Sequence, residues 1–296
     1  MLAMPPPLAP GDRVAVVAPS SPFPREELLR GLAWLRQRYR LSIGPGILAR
    51  DGFLAGTDTR RGEELAHAMS DPEVKAIVAA RGGYGAIRLV EALPWDELAR
   101  RPKWIVGFSD VTVLHAMAWR AGVASVHAPN VTGLGRDATP ATRARWLAAL
   151  ERPRAPHSWR GLRVLRPGEA RGVVVGGNLS LVHAMAAAGR LVIPDGAVVA
   201  LEDVTESPYR IDRMLTSLRL GGHLQRASAI VFGGFDRCAP GADGRTADEV
   251  LEERTRDFGV PVLAGAPFGH GLRNAAFVLG GPARLDGDSL FFGDYD

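Results

Sequence analysis

At 296 residues the chain is longer than one average domain, and its 46% hydrophobic residues suffice to fill two cores of roughly 150 residues each. With 23% charged and 7% aromatic residues the composition is that of a globular protein and excludes a fibre or a long disordered tail. The net charge of +4 comes from arginines scattered along the chain, since Lys75 and Lys103 are the only lysines, which argues against a nucleic-acid-binding stripe; the single cysteine, Cys238, excludes an intramolecular disulfide and a cysteine-rich metal site.

Residues 1–12 hold Pro5, Pro6 and Pro7 without a basic start and apolar run, so no export signal is read, and no later stretch nears the ~20 apolar residues of a membrane span. A cytoplasmic protein is expected. Residues 13–18 (R-V-A-V-V-A) are apolar and β-branched and close on Pro19-Ser20-Ser21-Pro22, which predicts a buried strand and a turn. Leu28, Leu32, Leu35 and Tyr39 then recur at helical spacing before the breaker Gly44-Pro45-Gly46. A second helix over about 59–69 precedes the apolar run 74–80, which ends in Gly82-Gly83-Tyr84-Gly85 and leads into a helix over 86–93. Residues 104–106 read as a third buried strand, Gly107-Phe108-Ser109-Asp110 turns the chain, and 111–121 is helix-forming. Repeated strand, loop and helix with continuous apolar strands predicts a parallel sheet covered on both faces.

Residues of about 139–168 are rich in proline and arginine and show no clear strand, which predicts an inter-domain connection. Beyond it the text is richer in strands, at 171–175, 197–201, 229–232, 260–263 and 277–279, with helices near 179–188, 209–218 and 247–256. The expectation is an α/β protein with an N-terminal parallel-sheet domain over 1–150, a linker over 151–168 and a β-rich α/β C-terminal domain over 169–296.

Ser109 stands where a buried strand ends and a helix begins, the edge of an open α/β sheet at which ligands bind. The placement resembles a nucleophile elbow, although Val111 occupies the second glycine of G-x-S-x-G. An N-cap serine on an ordinary helix fits the same text. Gly82-Gly83-Tyr84-Gly85 ends the neighbouring strand, where a glycine-rich backbone turns its N–H groups toward an anion; one of them, with the amide of Asp110, would make an oxyanion hole beside Ser109. A plain tight turn is the alternative. Glu202 follows the apolar run Val198-Val199-Ala200-Leu201, a place seldom given to a carboxylate for packing, though a loop acid or helix cap reads equally well. Of seven histidines, His67, His115 and His183 lie in helical text, whereas His270 stands between Gly269 and Gly271 directly after a strand.

Together Ser109, Glu202 and His270 supply a nucleophile, an orienting acid and a base, each at the carboxyl end of a predicted strand. With the serine in one domain and the other two in the next, the expected site lies at the domain interface. No H-E-x-x-H, paired-cysteine or G-x-x-x-x-G-K-[ST] pattern occurs, so neither a metal nor a cofactor is expected, and Cys238 reads as a buried or incidental thiol.

Six segments, in order, resemble the LD-carboxypeptidase family of serine peptidases, also called muramoyltetrapeptide carboxypeptidases. They are 11–20 (G-D-R-V-A-V-V-A-P-S), 80–85 (A-R-G-G-Y-G), 107–110 (G-F-S-D), 176–179 (G-G-N-L), 201–203 (L-E-D) and 268–271 (F-G-H-G). The resemblance covers nearly the whole chain. It implies a Ser109-Glu202-His270 triad, oxyanion donors at the amides of Gly83 and Asp110, and no metal. It also implies an N-terminal domain like that of class I glutamine amidotransferases, a smaller β-rich C-terminal domain, and a homodimer. The implied substrate is a small peptide, the murein tetrapeptide, from which terminal D-alanine is cut at its L,D bond to diaminopimelate in the cytoplasm. A related branch, the microcin-immunity carboxypeptidases, hydrolyses amides of peptide or aminoacyl nucleotides, with aromatic residues that stack on the base. The region directly after Glu202 offers only Tyr209 near the acid, with Phe235 coming later, which favours the murein reading. Arg81, Tyr84 and Arg210 are candidate substrate contacts by position. The alternative of another class is a non-catalytic protein that captures a small anionic peptide.

Overall fold

A computed structural model, describing residues 2–256 and 258–293, divides the chain into two compact units, 1–153 with 275–280, and 154–274 with 281–296. The first unit is built on a six-stranded sheet. Its parallel strands are β1 (Arg13–Val17), β2 (Arg40–Ile43), β3 (Val74–Ala79), β4 (Trp104–Gly107) and β5 (Ser125–His127), and β12 (Phe277–Leu279) adds antiparallel to β5, giving the order β12-β5-β4-β3-β1-β2. Val14 and Val16 of β1, with Ala76, Val78, Trp104 and Val106, share one core with Leu28, Leu32 and Leu35 of α1 (Arg25–Arg36) and Val131 and Leu134 of α5 (Val131–Arg136). Trp146 and Leu150 of α6 (Pro140–Glu151) complete that core. Alternation along each strand turns Ala15, Val17, Ile77 and Ala79 to the opposite face, which α2 (Asp58–Ser70) and α4 (Thr112–Arg120) cover, with α3 (Trp95–Arg100) packed against both helices. Every residue of α4 but the last is buried.

In this order the chain leaves β1 in one direction and β3 in the other, and the crevice outside the carboxyl ends of two such strands is where doubly wound sheets bind ligands. The loops after β1 and β3, residues 18–22 and 80–85, border that crevice.

The second unit holds an eight-stranded sheet in the order β6-β14-β13-β8-β9-β10-β11-β7. These strands are β6 (His157–Trp159), β7 (Arg163–Arg166), β8 (Glu169–Asn178), β9 (Ala197–Val204), β10 (Ala227–Asp236), β11 (Val262–Ala264), β13 (Pro282–Asp286) and β14 (Ser289–Phe292). β8 to β11 run parallel, and the others pair antiparallel. α7 (Leu179–Ala187), α8 (Pro208–Leu220) and α9 (Ala247–Thr255) connect the parallel strands, and Thr246 with Glu249 forms a reciprocal capping box at the start of α9.

Several elements differ from the sequence expectations. The first helix stops at Arg36, because Tyr39 turns into the core from a loop and its hydroxyl donates to Glu151 Oε1 at 2.5 Å. The expected helix over 86–93 is a single 3-10 turn, Ala86–Leu89. Residues 139–168, expected to lack strands, carry α6, β6 and β7. Among the described residues no helix is long and apolar enough to cross a membrane.

Candidate active site

In the first unit the buried strand β4 ends at Gly107, Phe108 is extended, and Ser109 takes φ 64°, in the left-handed region that disfavours a residue with a side chain. A 3-10 turn then leads into α4. Such a backbone costs on the order of 1–2 kcal/mol and persists only where its surroundings fix it. Two glycines do so. A Cβ on Gly107 would meet Asn130 Oδ1 at 2.7 Å and Val111 Cγ2 at 2.8 Å, and one on Gly82 would meet Ser109 Cβ at 2.8 Å and its Oγ at 3.1 Å. The close approach that a second glycine grants in G-x-S-x-G is therefore granted here from the neighbouring strand's turn, which leaves position 111 free to be valine.

Asp110 is fully buried, and its Oδ2 accepts the Ala86 N–H at 2.8 Å, which ties the turn after β4 to the turn after β3. Burial pushes its carboxyl above the usual range, against the pull of the Ser20 hydroxyl, the Ala86 amide and the Arg61 charge. Gly83 has φ 106° and stacks on Ser21, where a Cβ would lie 2.5 Å from the hydroxyl oxygen. Ser21 donates its N–H to the Gly82 carbonyl at 3.3 Å and its Oγ accepts the Tyr84 N–H at 3.1 Å. The Gly83 N–H, a candidate oxyanion donor, has no acceptor among the described residues. Arg81 donates to the Pro22 carbonyl at 2.5 Å and so braces the same loops, and the Tyr84 ring is exposed. Beneath them lies the fully buried guanidinium of Arg61, which donates to the Pro19 carbonyl and pairs with Asp58 at 2.5 Å.

In the second unit Glu202 lies in β9, opposite Asn178 of β8, and is wholly buried. Its Oε2 sits 2.7 Å from His270 Nδ1. Burial pushes the carboxyl up, while the hydrogen bond and the charge of His270 pull it down; the net shift is upward. A carboxylate accepting at Nδ1 assigns the proton to that nitrogen and leaves Nε2 as the basic one. Gly269, at φ 128°, lets the pair meet: a Cβ there would lie 3.1 Å from Glu202 Oε2. The loop is pinned because Gly234 of β10 donates its N–H to the Phe268 carbonyl at 2.8 Å.

The structure thus brings Glu202 to His270, and groups Gly83, Asp110, Arg81 and Tyr84 around the Ser109 turn. Arg210, on the first turn of α8, is paired with Glu206 at 2.9 Å. Sequence reasoning gave no role to Asp203, whose carboxylate accepts from Asn178 Nδ2 at 2.9 Å, from Ser180 N at 2.9 Å and from Ser180 Oγ at 2.7 Å. With Asn178 Oδ1 accepting from Leu181 N at 3.3 Å, these bonds fasten the start of α7 to the strand that carries Glu202. The signal was an asparagine just before a helical run. Among the described residues no group of three His, Cys, Asp or Glu side chains is arranged to hold a metal.

The sequence profile of the LD-carboxypeptidase N-terminal domain matches residues 14–128, and that of the LD-carboxypeptidase C-terminal domain matches residues 171–285. A protein of Synechocystis sp., provisionally assigned as a carboxypeptidase, is 41% identical over 302 residues, covering 96% of this chain and 94% of that one. The murein tetrapeptide carboxypeptidase of Pseudomonas aeruginosa is 33% identical over 293 residues, covering 94% of each chain. The crystal structure of muramoyltetrapeptide carboxypeptidase from Oxalobacter formigenes superimposes with a TM-score of 0.86 at 28% identity, covering 96% of this chain and 99% of that one.

Proposed function

The chain belongs to the LD-carboxypeptidase family of serine peptidases, and from that premise we propose that it removes terminal D-alanine from murein tetrapeptides at the bond to diaminopimelate, with Ser109 as nucleophile, His270 as base and Glu202 as the acid that orients the imidazole. The observation that carries the catalytic part is the 2.7 Å hydrogen bond between His270 Nδ1 and a carboxylate with no exposure to solvent. A serine hydroxyl is a poor nucleophile near neutral pH, so a base must take its proton as the oxygen attacks. A buried carboxylate at Nδ1 fixes the tautomer and stabilises the imidazolium that results.

In the proposed cycle the Ser109 Oγ–H proton moves to His270 Nε2 while Oγ bonds to the carbonyl carbon of diaminopimelate. The oxyanion is held by the main-chain N–H groups of Gly83 and Asp110. Collapse breaks the C–N bond, and the proton on Nε2 goes to the leaving amine of D-alanine. Water, giving its proton to His270, then attacks the ester carbon; the C–Oγ bond breaks, the proton on Nε2 returns to Ser109 Oγ, and the tripeptide leaves. Arg81, Tyr84 and Arg210 are the proposed substrate contacts. The same reading makes the protein a cytoplasmic homodimer, and light scattering on the purified chain tests the dimer.

The discriminating experiment offers the full chain a diaminopimelate-containing tetrapeptide and, separately, an aminoacyl-sulfamoyl nucleoside. Release of D-alanine from the first and no amino acid from the second is expected. The reverse pattern would replace the proposal with a nucleotide-amide hydrolase, and no release from either would leave a binding protein.

A further inference from the structure

Phe53 and Tyr84 are 63% and 47% exposed, yet their ring centroids lie 5.7 Å apart with the planes tilted by 54°. Scattered apolar residues on a surface are ordinary, but two aromatic rings held against each other in solvent are not explained by packing. Phe53 is also held on a stiff support. Asp51 and Leu54 exchange both main-chain hydrogen bonds at 2.9 Å, so a two-residue turn, with Gly52 at φ 57°, presents Phe53 at its tip. The next residue, Leu54, is buried where Gly85 lacks a side chain; a Cβ there would meet Leu54 Cδ2 at 2.6 Å. Ala55 donates its N–H to the Ser20 carbonyl at 2.8 Å. The turn is thereby fastened to the loops after β1 and β3, and the latter packs Gly82 against Ser109.

Resting on the proposed function, we infer that Phe53, with Tyr84, is a specificity-determining wall for the side chain of the residue whose carbonyl Ser109 attacks. Size decides which side of the scissile bond the rings serve. The leaving alanine offers only a methyl group, too small to engage two rings. Diaminopimelate on the acyl side offers a run of methylenes ending in a carbon that carries both an ammonium and a carboxylate group. Methylenes lie well on ring faces, and an ammonium within about 6 Å of a ring centroid gains a cation–π attraction. Rings tilted by 54° form an open V that suits a chain, whereas a flat base is gripped best between parallel faces.

The test compares kcat/KM for D-alanine release from two tetrapeptides that differ only at the acyl residue, diaminopimelate in one and alanine in the other. Wild type is expected to prefer the first. Phe53→Ala should reduce that preference about tenfold, mainly through KM on the diaminopimelate peptide, Phe53→Leu should reduce it partly, and Phe53→Tyr should keep it. An unchanged preference in Phe53→Ala, an equal loss on both peptides, or no preference in wild type overturns the inference and leaves the proposed function standing. Failure of wild type to release D-alanine from either peptide overturns both. Because residue 53 sits at an exposed tip, the melting temperatures of the three variants should match that of wild type, which separates a lost contact from a lost fold.

Discussion

Replacing Gly82 by alanine adds one methyl group at the point where two turns touch. Gly82 is not among the glycines with positive φ, so its backbone accepts an alanine without strain, and the effect is confined to what the methyl meets. That methyl would stand 2.8 Å from Ser109 Cβ, 3.1 Å from Oγ and 3.3 Å from the Asp110 nitrogen, against 3.4 Å or more for ordinary contact. Ser109 cannot yield by an easy rotation, because its φ of 64° is fixed by the packing around it, and Asp110 is tied to Ala86 at 2.8 Å. The turns must part by roughly half an ångström to 1 Å, and a misplacement of about 1 Å at a nucleophile costs on the order of 10²-fold in rate. Overpacking of this kind destabilises by about 1–3 kcal/mol, which leaves the protein folded at 25 °C if its stability is ordinary. The assay is kcat for D-alanine release at saturating tetrapeptide, with the melting temperature taken on the same sample. A kcat within about threefold of wild type would refute the claim that Gly82 creates the space in which Ser109 is held.

Glu202→Gln keeps the shape beside His270 Nδ1 but removes the charge, so kcat is expected to fall roughly 10³- to 10⁴-fold, and, since burial already opposes the carboxylate, the melting temperature should hold or rise; a coincident loss of stability would assign Glu202 a structural role. His115 is fully buried, with Nε2 3.0 Å from the Gly107 carbonyl, and burial lowers its pKa to about 4. Below about 6.5 the unfolded chain binds a proton at this ring, whereas the folded chain does not until about pH 4, so stability falls as pH drops through that window, by ~3 kcal/mol in all. Urea midpoints at pH 7, 5.5 and 4.5 should show a steeper decline for wild type than for His115→Gln, and parallel declines would contradict this. Gly135→Ala would drive a methyl into the Glu27 carbonyl and within 2.6 Å of the Gly31 nitrogen, where α1 and α5 meet backbone to backbone, and should cost more than about 2 kcal/mol in a denaturant titration.

The strands legible in the sequence were those buried on both faces, because a run such as Val14-Ala15-Val16-Val17 has no alternation to obscure it. β2 and β5, Arg40–Ile43 and Ser125–His127, are not legible in the sequence because a short strand of mixed polarity carries no periodic signal. β6 and β7 were hidden for the same reason in text rich in arginine and proline. Tyr39 continued the helical spacing past the end of α1 because its ring reaches the same core from a loop, and spacing records the face a side chain buries rather than the backbone that brings it there.

At the site, the carboxylate of Glu202 directly after an apolar run and the glycines beside His270 are both legible, since each is a local anomaly of composition, whereas the strand itself runs on past Glu202 to Val204. The contact between Glu202 and His270 is not legible, because 68 residues separate the two and no local rule spans that distance. The support given by Gly82 to Ser109 was equally hidden, and so was Phe53, an unexceptional residue until the fold sets Tyr84 beside it.

The central claim, that the hydroxyl of Ser109 forms the bond to the substrate, is tested most directly by intact-mass spectrometry of the protein quenched within milliseconds of mixing with tetrapeptide. The account predicts a transient adduct of the tripeptide less one water, mapped by digestion to Ser109, and neither adduct nor D-alanine from Ser109→Ala. D-alanine released at the wild-type rate by Ser109→Ala, or an adduct mapped to another residue, would contradict it.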